Sequence, residues 1–291
     1  MTQIHIPVLK NEVINVLNPK LGESYLDLTA GYGGHADSIL EITQNYKKTV
    51  LVDRDRNAIN FLKAKYKNVK PNIIHKSFYD AALSEVESGT KFDLILADLG
   101  VSSPQLDVEK RGFSFTKNAR LDMRMDEEQE LDAWIVVNTY SVKDLVRIFV
   151  EYGEERLGRA EFLAKEIAFN RPINTTEELA NLIADKSGYA KTHPATRIFQ
   201  AIRIEVNDEL GQIEKTLKLI PTLLSRDGRV AIISFHSLED RIIKNSFREM
   251  SSLGQESELS LITKKPIVAS KTEIANSPRA RSAKLRAAVK L

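Results

Sequence analysis

Cysteine is absent from the 291 residues. That excludes a disulfide framework, a thiolate zinc site and an iron–sulfur cluster built from this chain alone. A cysteine nucleophile is excluded as well. No apolar run approaches the ~18 residues that a membrane-spanning helix needs. The opening Met1-Thr-Gln-Ile-His-Ile-Pro7 has neither the basic stretch nor the apolar block of a secretory signal, so the expected location is the cytoplasm. Net charge is also small, with 42 basic against 40 acidic side chains. What remains, at 42% hydrophobic and 28% charged, is an ordinary globular composition long enough for one large α/β domain or two smaller ones.

The small net charge hides an asymmetry. Residues 264–291 carry eight Lys or Arg against one acid, Glu273, whereas residues 126–132 hold five acids and no base. A tail containing Pro278-Arg-Ala-Arg-Ser282 is an electrostatic footprint for phosphates or a solvated terminus, and charge alone does not choose.

Short apolar runs at Tyr25–Leu28, Thr49–Val52, Asn72–His75 and Phe92–Ala97 predict buried strands, with amphipathic helices near 35–45 and 55–67 between them. That alternation implies a parallel sheet covered by helices on both faces. From about 110 to 192 strand patterns stop. Leu157, Ala160, Ala164 and Ile167 step at helical spacing, Thr175-Thr-Glu-Glu178 reads as a capping box, and Ser141-Val-Lys-Asp144 resembles one. The division expected is an α/β domain of 1–109 and 193–291, with an all-helical insertion over 110–192. Pro194 opens a stretch whose apolar positions from Ile198 to Ile220 predict one long helix. Its polar face bears Gln200, Arg203 and Asn207, for which an RNA or interdomain role stands beside simple solvation. Arg229–Ser234 predicts a further strand, Ser237 the cap of the helix after it, and 258–263 and 283–290 two last strands.

The chemistry concentrates after the first strand, in Asp27-Leu-Thr-Ala-Gly31-Tyr-Gly33-Gly34-His35-Ala36. Glycines between a strand and a helix permit a tight turn and close approach to a ligand. Gly31-x-Gly33-x-x-Ala36 satisfies the dinucleotide fingerprint, and Asp53 ends the second strand where an acid binds ribose hydroxyls. NAD and S-adenosylmethionine fit that much equally. Asp27 inside the strand, the lack of a pyrophosphate receiver over 36–40, and the polar turn Asp98-Leu-Gly-Val-Ser-Ser-Pro-Gln105 favour S-adenosylmethionine. The competing reading is that the glycines merely tighten a turn and Asp98 caps a loop.

Further blocks carry a resemblance: His5–Leu9, Asp98–Asp107, Arg111–Phe115, Leu121–Asp126, His193–Ala201, Ser234–Arg241 and Asn276–Ser282. Together with the glycine loop, they resemble the bacterial small-subunit ribosomal RNA methyltransferase H family, also called MraW, along nearly the whole chain. The resemblance implies a doubly wound, Rossmann-like class I methyltransferase sheet with an inserted all-helical domain that helps recognise substrate. It implies methyl transfer from S-adenosylmethionine to the exocyclic N4 amine of a decoding-centre cytosine in 16S ribosomal RNA. The partner it implies is that RNA, within an assembled or nearly assembled subunit. By residue, Gly33, Gly34 and His35 match the loop that contacts the cofactor, and Asp53 the ribose-binding acid. Phe78 matches a residue beside the adenine, and Asp98 and Gln105 two further cofactor contacts.

The absent cysteine bears on the product independently. Methylation at cytosine ring carbon five ordinarily needs a cysteine attacking the base, so an amine or hydroxyl acceptor is favoured. Asp98 is the candidate catalytic group, as an acceptor for the amine protons, with backbone carbonyls of residues 98–102 as alternative acceptors and cofactor binding alone as its alternative role. Related amino-methyltransferases have Asp-Pro-Pro-aromatic where this chain has Asp98-Leu-Gly-Val101, so no aromatic is supplied locally to stack on a base. Phe113, Phe115 and Phe235-His236 are the substitutes. His5, His75 and His193 lack metal-ligand spacing, and no structural metal is expected. A nicotinamide oxidoreductase and an inactive RNA-binding assembly factor are the rival functions. The intact Gly33-Gly34-His35, Asp53 and Asp98 set argues against the second.

Overall fold

The computed structural model describes residues 7–100, 111–115, 117–186, 193–252 and 254–291, so Gln105 and His5 lie outside the described residues. The chain divides into two compact units, Met1–Gly100 with Leu210–Leu291, and Val101–Glu209.

The first unit is built on an eight-stranded sheet. Its strands are β1 (Tyr25–Asp27), β2 (Thr49–Asp53), β3 (Asn72–His75), β4 (Phe92–Asp98), β5 (Leu224–Ser234), β6 (Leu259–Leu261), β7 (Ile267–Val268) and β8 (Lys284–Lys290). They lie in the order β3-β2-β1-β4-β5-β8-β6, with β7 also paired to β8. β1 to β5 pair in parallel, and β8 runs antiparallel to its neighbours. Helices α1 (Lys10–Leu17), α2 (Gly34–Thr43), α3 (Arg56–Lys65) and α4 (Phe78–Glu87) join the early strands. Side-chain alternation along each strand serves two apolar layers. Leu94 and Leu96 join Val13, Ile39 and Leu62 in one layer, while Ile95 and Ala97 join Ala81, Ile213 and Phe247 in the other. Burial on both faces is why β1, β2 and β4 read as unbroken apolar runs; β3, expected to be buried, lies at the sheet edge and is only partly so. This is the doubly wound, Rossmann-like sheet expected.

The second unit contains α5 (Ala133–Thr139), α6 (Val142–Glu151), α7 (Leu157–Phe169), α8 (Thr176–Asp185) and α9 (Thr196–Asn207). Thr175 and Glu178 form the reciprocal capping box, and Ser141 accepts from Asp144 N–H at the start of α6. Its core takes Ile198, Phe199, Ile202 and Val206 from α9. Residues 193–209 therefore cluster with the helices, where the sequence placed them with the sheet. The single long helix expected from Ile198 to Ile220 is two helices. Asp208 adopts a left-handed conformation (φ 48°) and separates α9 from α10 (Glu209–Leu223). The sheet unit is completed by α11 (Ser237–Met250) and α12 (Lys271–Asn276). No helix among the described residues is long and apolar enough to cross a membrane.

The polar face of α9 is structural. Asn207 is buried; its Oδ1 accepts from Met125 N–H at 2.9 Å and its Nδ2 donates to Met123 O at 2.8 Å. Arg203 forms a bidentate pair with Glu209 at 2.8 and 2.9 Å, and Gln200 donates to Tyr152 O at 3.0 Å.

Candidate active site

The sheet order changes direction at β1 and β4, which leaves a crevice beyond their carboxyl ends. Asp27 ends β1, Asp53 ends β2 and Asp98 ends β4, so three carboxylates come to one edge. The loop Gly31–His35 leaves from the same edge. Gly33 is the residue before α2 with φ 77°, in the left-handed region that favours glycine. A Cβ there would lie 3.1 Å from Leu62 Cδ2, Lys65 Nζ and Tyr66 OH, so α3 sits directly against the loop.

Lys65 and Tyr66 hold that loop, and neither was singled out in the sequence. Lys65 Nζ donates to Tyr32 O at 3.1 Å, to Gly33 O at 3.3 Å and to Asp37 Oδ2. Tyr66 OH donates to Asp37 Oδ1 at 2.7 Å. One turn of α3 thus fixes both the loop backbone and the first turn of α2. An i,i+1 pair at a helix end gives no periodic signal, and only its distant partner reveals it.

Asp53 is half-buried. Its Oδ2 accepts from Gly31 N–H at 2.8 Å and its Oδ1 from Asp55 N–H at 2.7 Å. Burial raises its pKa to about 6 despite those two bonds. Asp27 is fully buried, accepts from Tyr25 OH at 2.7 Å and from Thr29 N–H at 3.1 Å, and is raised by burial to about 7. Thr29 Oγ1 in turn accepts from Asp98 N–H at 2.6 Å. Asp98 is raised to about 8, by burial first and then by the charges of Asp27 and Glu239. Its Oδ1 is buried with no hydrogen-bond partner among the described residues, while Oδ2 lies 3.7 Å from Nε2 of the buried His35. Such an orphaned oxygen is costly unless a ligand satisfies it.

The next strand along brings Phe235 and His236 to this edge. His236, not Ser237, is the residue that caps α11. Its side chain accepts from Glu239 N–H, and the Glu239 carboxylate accepts from the backbone N–H of Phe235 at 2.7 Å and of His236 at 3.3 Å. Phe78 opens α4 just past β3, and its half-buried ring packs in the layer containing Leu28, Ala97 and Leu99. Phe113 is buried in the helical unit, which removes it as a stacking residue. Phe115 stacks on His193 at 4.5 Å and meets Phe199 edge-on at 5.2 Å. Arg286 is buried and donates to Asp240 at 2.7 Å, beside Lys284 at 3.1 Å, so it braces β8 to α11.

S-adenosylmethionine fits these groups. Its sulfonium and ammonium charges suit carboxylates whose own ionisation burial disfavours. Its carboxylate suits the start of α2, which no side chain among the described residues caps. A dinucleotide would bring a pyrophosphate against the same three acids.

Comparison with known proteins agrees with this chemistry. The chain is 47% identical over 291 residues to the ribosomal RNA small subunit methyltransferase H of Trichormus variabilis, covering 98% of this chain and 92% of that one. It is 48% identical to the protein of the same name from Cyanothece sp., covering 99% and 95%. The family model described as MraW methylase family matches residues 2–291. This chain belongs to the MraW methylase family.

Proposed function

We propose that this protein transfers a methyl group from S-adenosylmethionine to the exocyclic N4 amine of a decoding-centre cytosine in 16S ribosomal RNA. Its substrate is the assembled or nearly assembled small subunit, and its place of action the cytoplasm. The observation that carries this reading is Asp98, whose buried Oδ1 has no hydrogen-bond partner among the described residues, at the edge where the glycine loop begins. When bound, S-adenosylmethionine would supply an electrophilic methyl carbon for in-line displacement, its sulfonium sulfur departing as the thioether. Asp53 and the Gly33–His35 segment would hold it, with Phe78 beside the adenine and Gln105 as a further contact.

A cytosine amine is a poor nucleophile because its lone pair is delocalised into the ring. Asp98 accepting an N–H bond would turn that lone pair out of conjugation and stabilise the positive charge as nitrogen gains its fourth bond, then accept the proton that the methylated amine must lose. A carboxylate of raised proton affinity suits the final proton transfer, since acceptor strength then lies near the operating pH. With no cysteine in the chain, ring-carbon chemistry through a covalent adduct is unavailable.

The test is the product. Small-subunit RNA from cells lacking this protein should lose one methyl on a cytosine amine, read by mass spectrometry of digested nucleosides. A change confined to ring carbon five or to ribose would overturn the assignment.

A further inference from the structure

The carboxyl edge of the sheet has an order that assigns more than the cofactor. Passing along β2, β1, β4 and β5, one meets Asp53, the glycine loop, Asp98 and then Phe235. The cofactor-side groups occupy β2 and β1, so the flank of Asp98 away from them belongs to β5. An acceptor base approaching Asp98 from that flank meets Phe235 first. The local backbone is shaped around this ring. Gly100 has φ 97°, and a Cβ on it would come 3.3 Å from Phe235 Cδ2, so glycine is required there by conformation and by the ring's proximity. Phe235 stays half-buried, packed against the layer that holds Ala30 and Ala36, with its N–H fixed on Glu239.

One strand further, β8 pairs with β5 antiparallel, Lys284 opposite Ser234, so β8 enters the sheet at this same edge. The short 3-10 turn Pro278–Ser282 leads into it. Ala280 and Ala283 are buried in the layer beneath the glycine loop, and between them Arg281, like Arg279 before, is exposed. Exposed Lys271 lies on α12 just before the turn. The single acid of the segment, Glu273, has Oε1 engaged by Leu9 N–H at 2.7 Å. The alanines anchor the turn while the arginines face solvent: a built presentation of positive charge rather than a loose tail.

We infer that Phe235 and the turn bearing Arg279 and Arg281 form the acceptor-nucleotide subsite, the ring stacking on the target base and the two guanidinium groups holding flanking RNA phosphates. This deepens the proposed function and rests on it. Unpaired bases stack on aromatic faces in single-stranded RNA recognition, and arginine pairs with phosphate through two parallel hydrogen bonds. Arg286 lies outside the subsite because it is buried against Asp240.

Four variants test this with methyl transfer to small-subunit RNA, calorimetric S-adenosylmethionine affinity and melting temperature measured on each. Phe235→Leu keeps apolar bulk but loses the aromatic face; kcat/KM for RNA should fall roughly tenfold with cofactor affinity unchanged, and Phe235→Tyr should restore it. Arg279→Ala/Arg281→Ala should flatten the slope of log RNA affinity against log salt by about 1.4, two contacts at roughly 0.7 each on a single strand. Arg286→Ala should lower the melting temperature and leave that slope alone. Wild-type kcat/KM in Phe235→Leu, or an unmoved salt slope in the folded double variant, overturns the subsite. Wild-type protein that methylates no cytosine amine defeats the proposed function instead, so the two failures are distinguishable.

Discussion

We propose that Asp98 acts in opposite directions on stability and on chemistry. Its pKa of about 8 in the folded protein stands above the ordinary carboxyl value of 3.8. The native state then holds the proton more tightly than the unfolded chain does. Its stabilising contribution is full below pH ~4 and is lost as pH rises through about 8. Asp98→Asn removes this term. The variant should lose less melting temperature than wild type between about pH 5 and 8, while its kcat drops on the order of a hundredfold. Identical pH slopes in the two proteins would contradict the burial assigned to Asp98. Asp53 offers a separate reading, because its oxygens already serve Gly31 and Asp55. Asp53→Ala would lose the charge-assisted bonds, ~1.5–3 kcal/mol each, that we propose Asp53 makes to the ribose. Cofactor affinity should therefore weaken at least about tenfold, and calorimetry giving wild-type affinity in a folded variant would refute the placement. The residues of this edge were legible because their chemistry is local: a glycine loop and acids at strand ends. His35 facing Asp98, and Lys65 holding the loop, depend on strand adjacency and could not be read.

At the scale of elements, what periodicity could show and what it hid are both physical. The β1, β2 and β4 runs stood out because both faces are buried, whereas the edge strand β3 is only partly buried. The break at Asp208 left no trace in the apolar pattern, since Val206 and Leu210 are spaced by four residues and preserve the helical step across it. Aspartate is also among the few residues that tolerate the left-handed region. Ser237-Leu-Glu-Asp240 imitates a capping box one residue late. The true box starts at His236, and histidine is not among the usual capping residues. In β8 the period of two puts Lys284 and Arg286 on one face, where Asp240 takes both. A count of charges therefore overstates what this tail offers to phosphate, since Asp240 already engages Lys284 and Arg286.

At the scale of the whole molecule, the described groups that we propose at the cofactor, Gly33–His35, Asp53, Phe78 and Asp98, lie within one unit, whereas Gln105 falls in the other and outside the described residues. The helical unit has a core of its own, and its chemistry-like polar residues are spent internally. Leu121–Asp126 shows this. Met123 and Met125 are buried and tied by backbone to Asn207, and Asp122 grips Arg124 through both carboxylate oxygens. We propose that methyl-donor binding rests on the sheet unit and recognition of RNA on the helices. Asn207→Ala probes that separation. It leaves Met125 N–H and Met123 C=O buried without partners, at a cost of ~1–3 kcal/mol each, and should lower the melting temperature by several degrees at roughly 2–4 °C per kcal/mol. S-adenosylmethionine affinity, measured by calorimetry below that melting point, should remain at the wild-type value. Loss of cofactor affinity in step with stability would mean that the donor site depends on the helices for its shape, and the division of labour would fail.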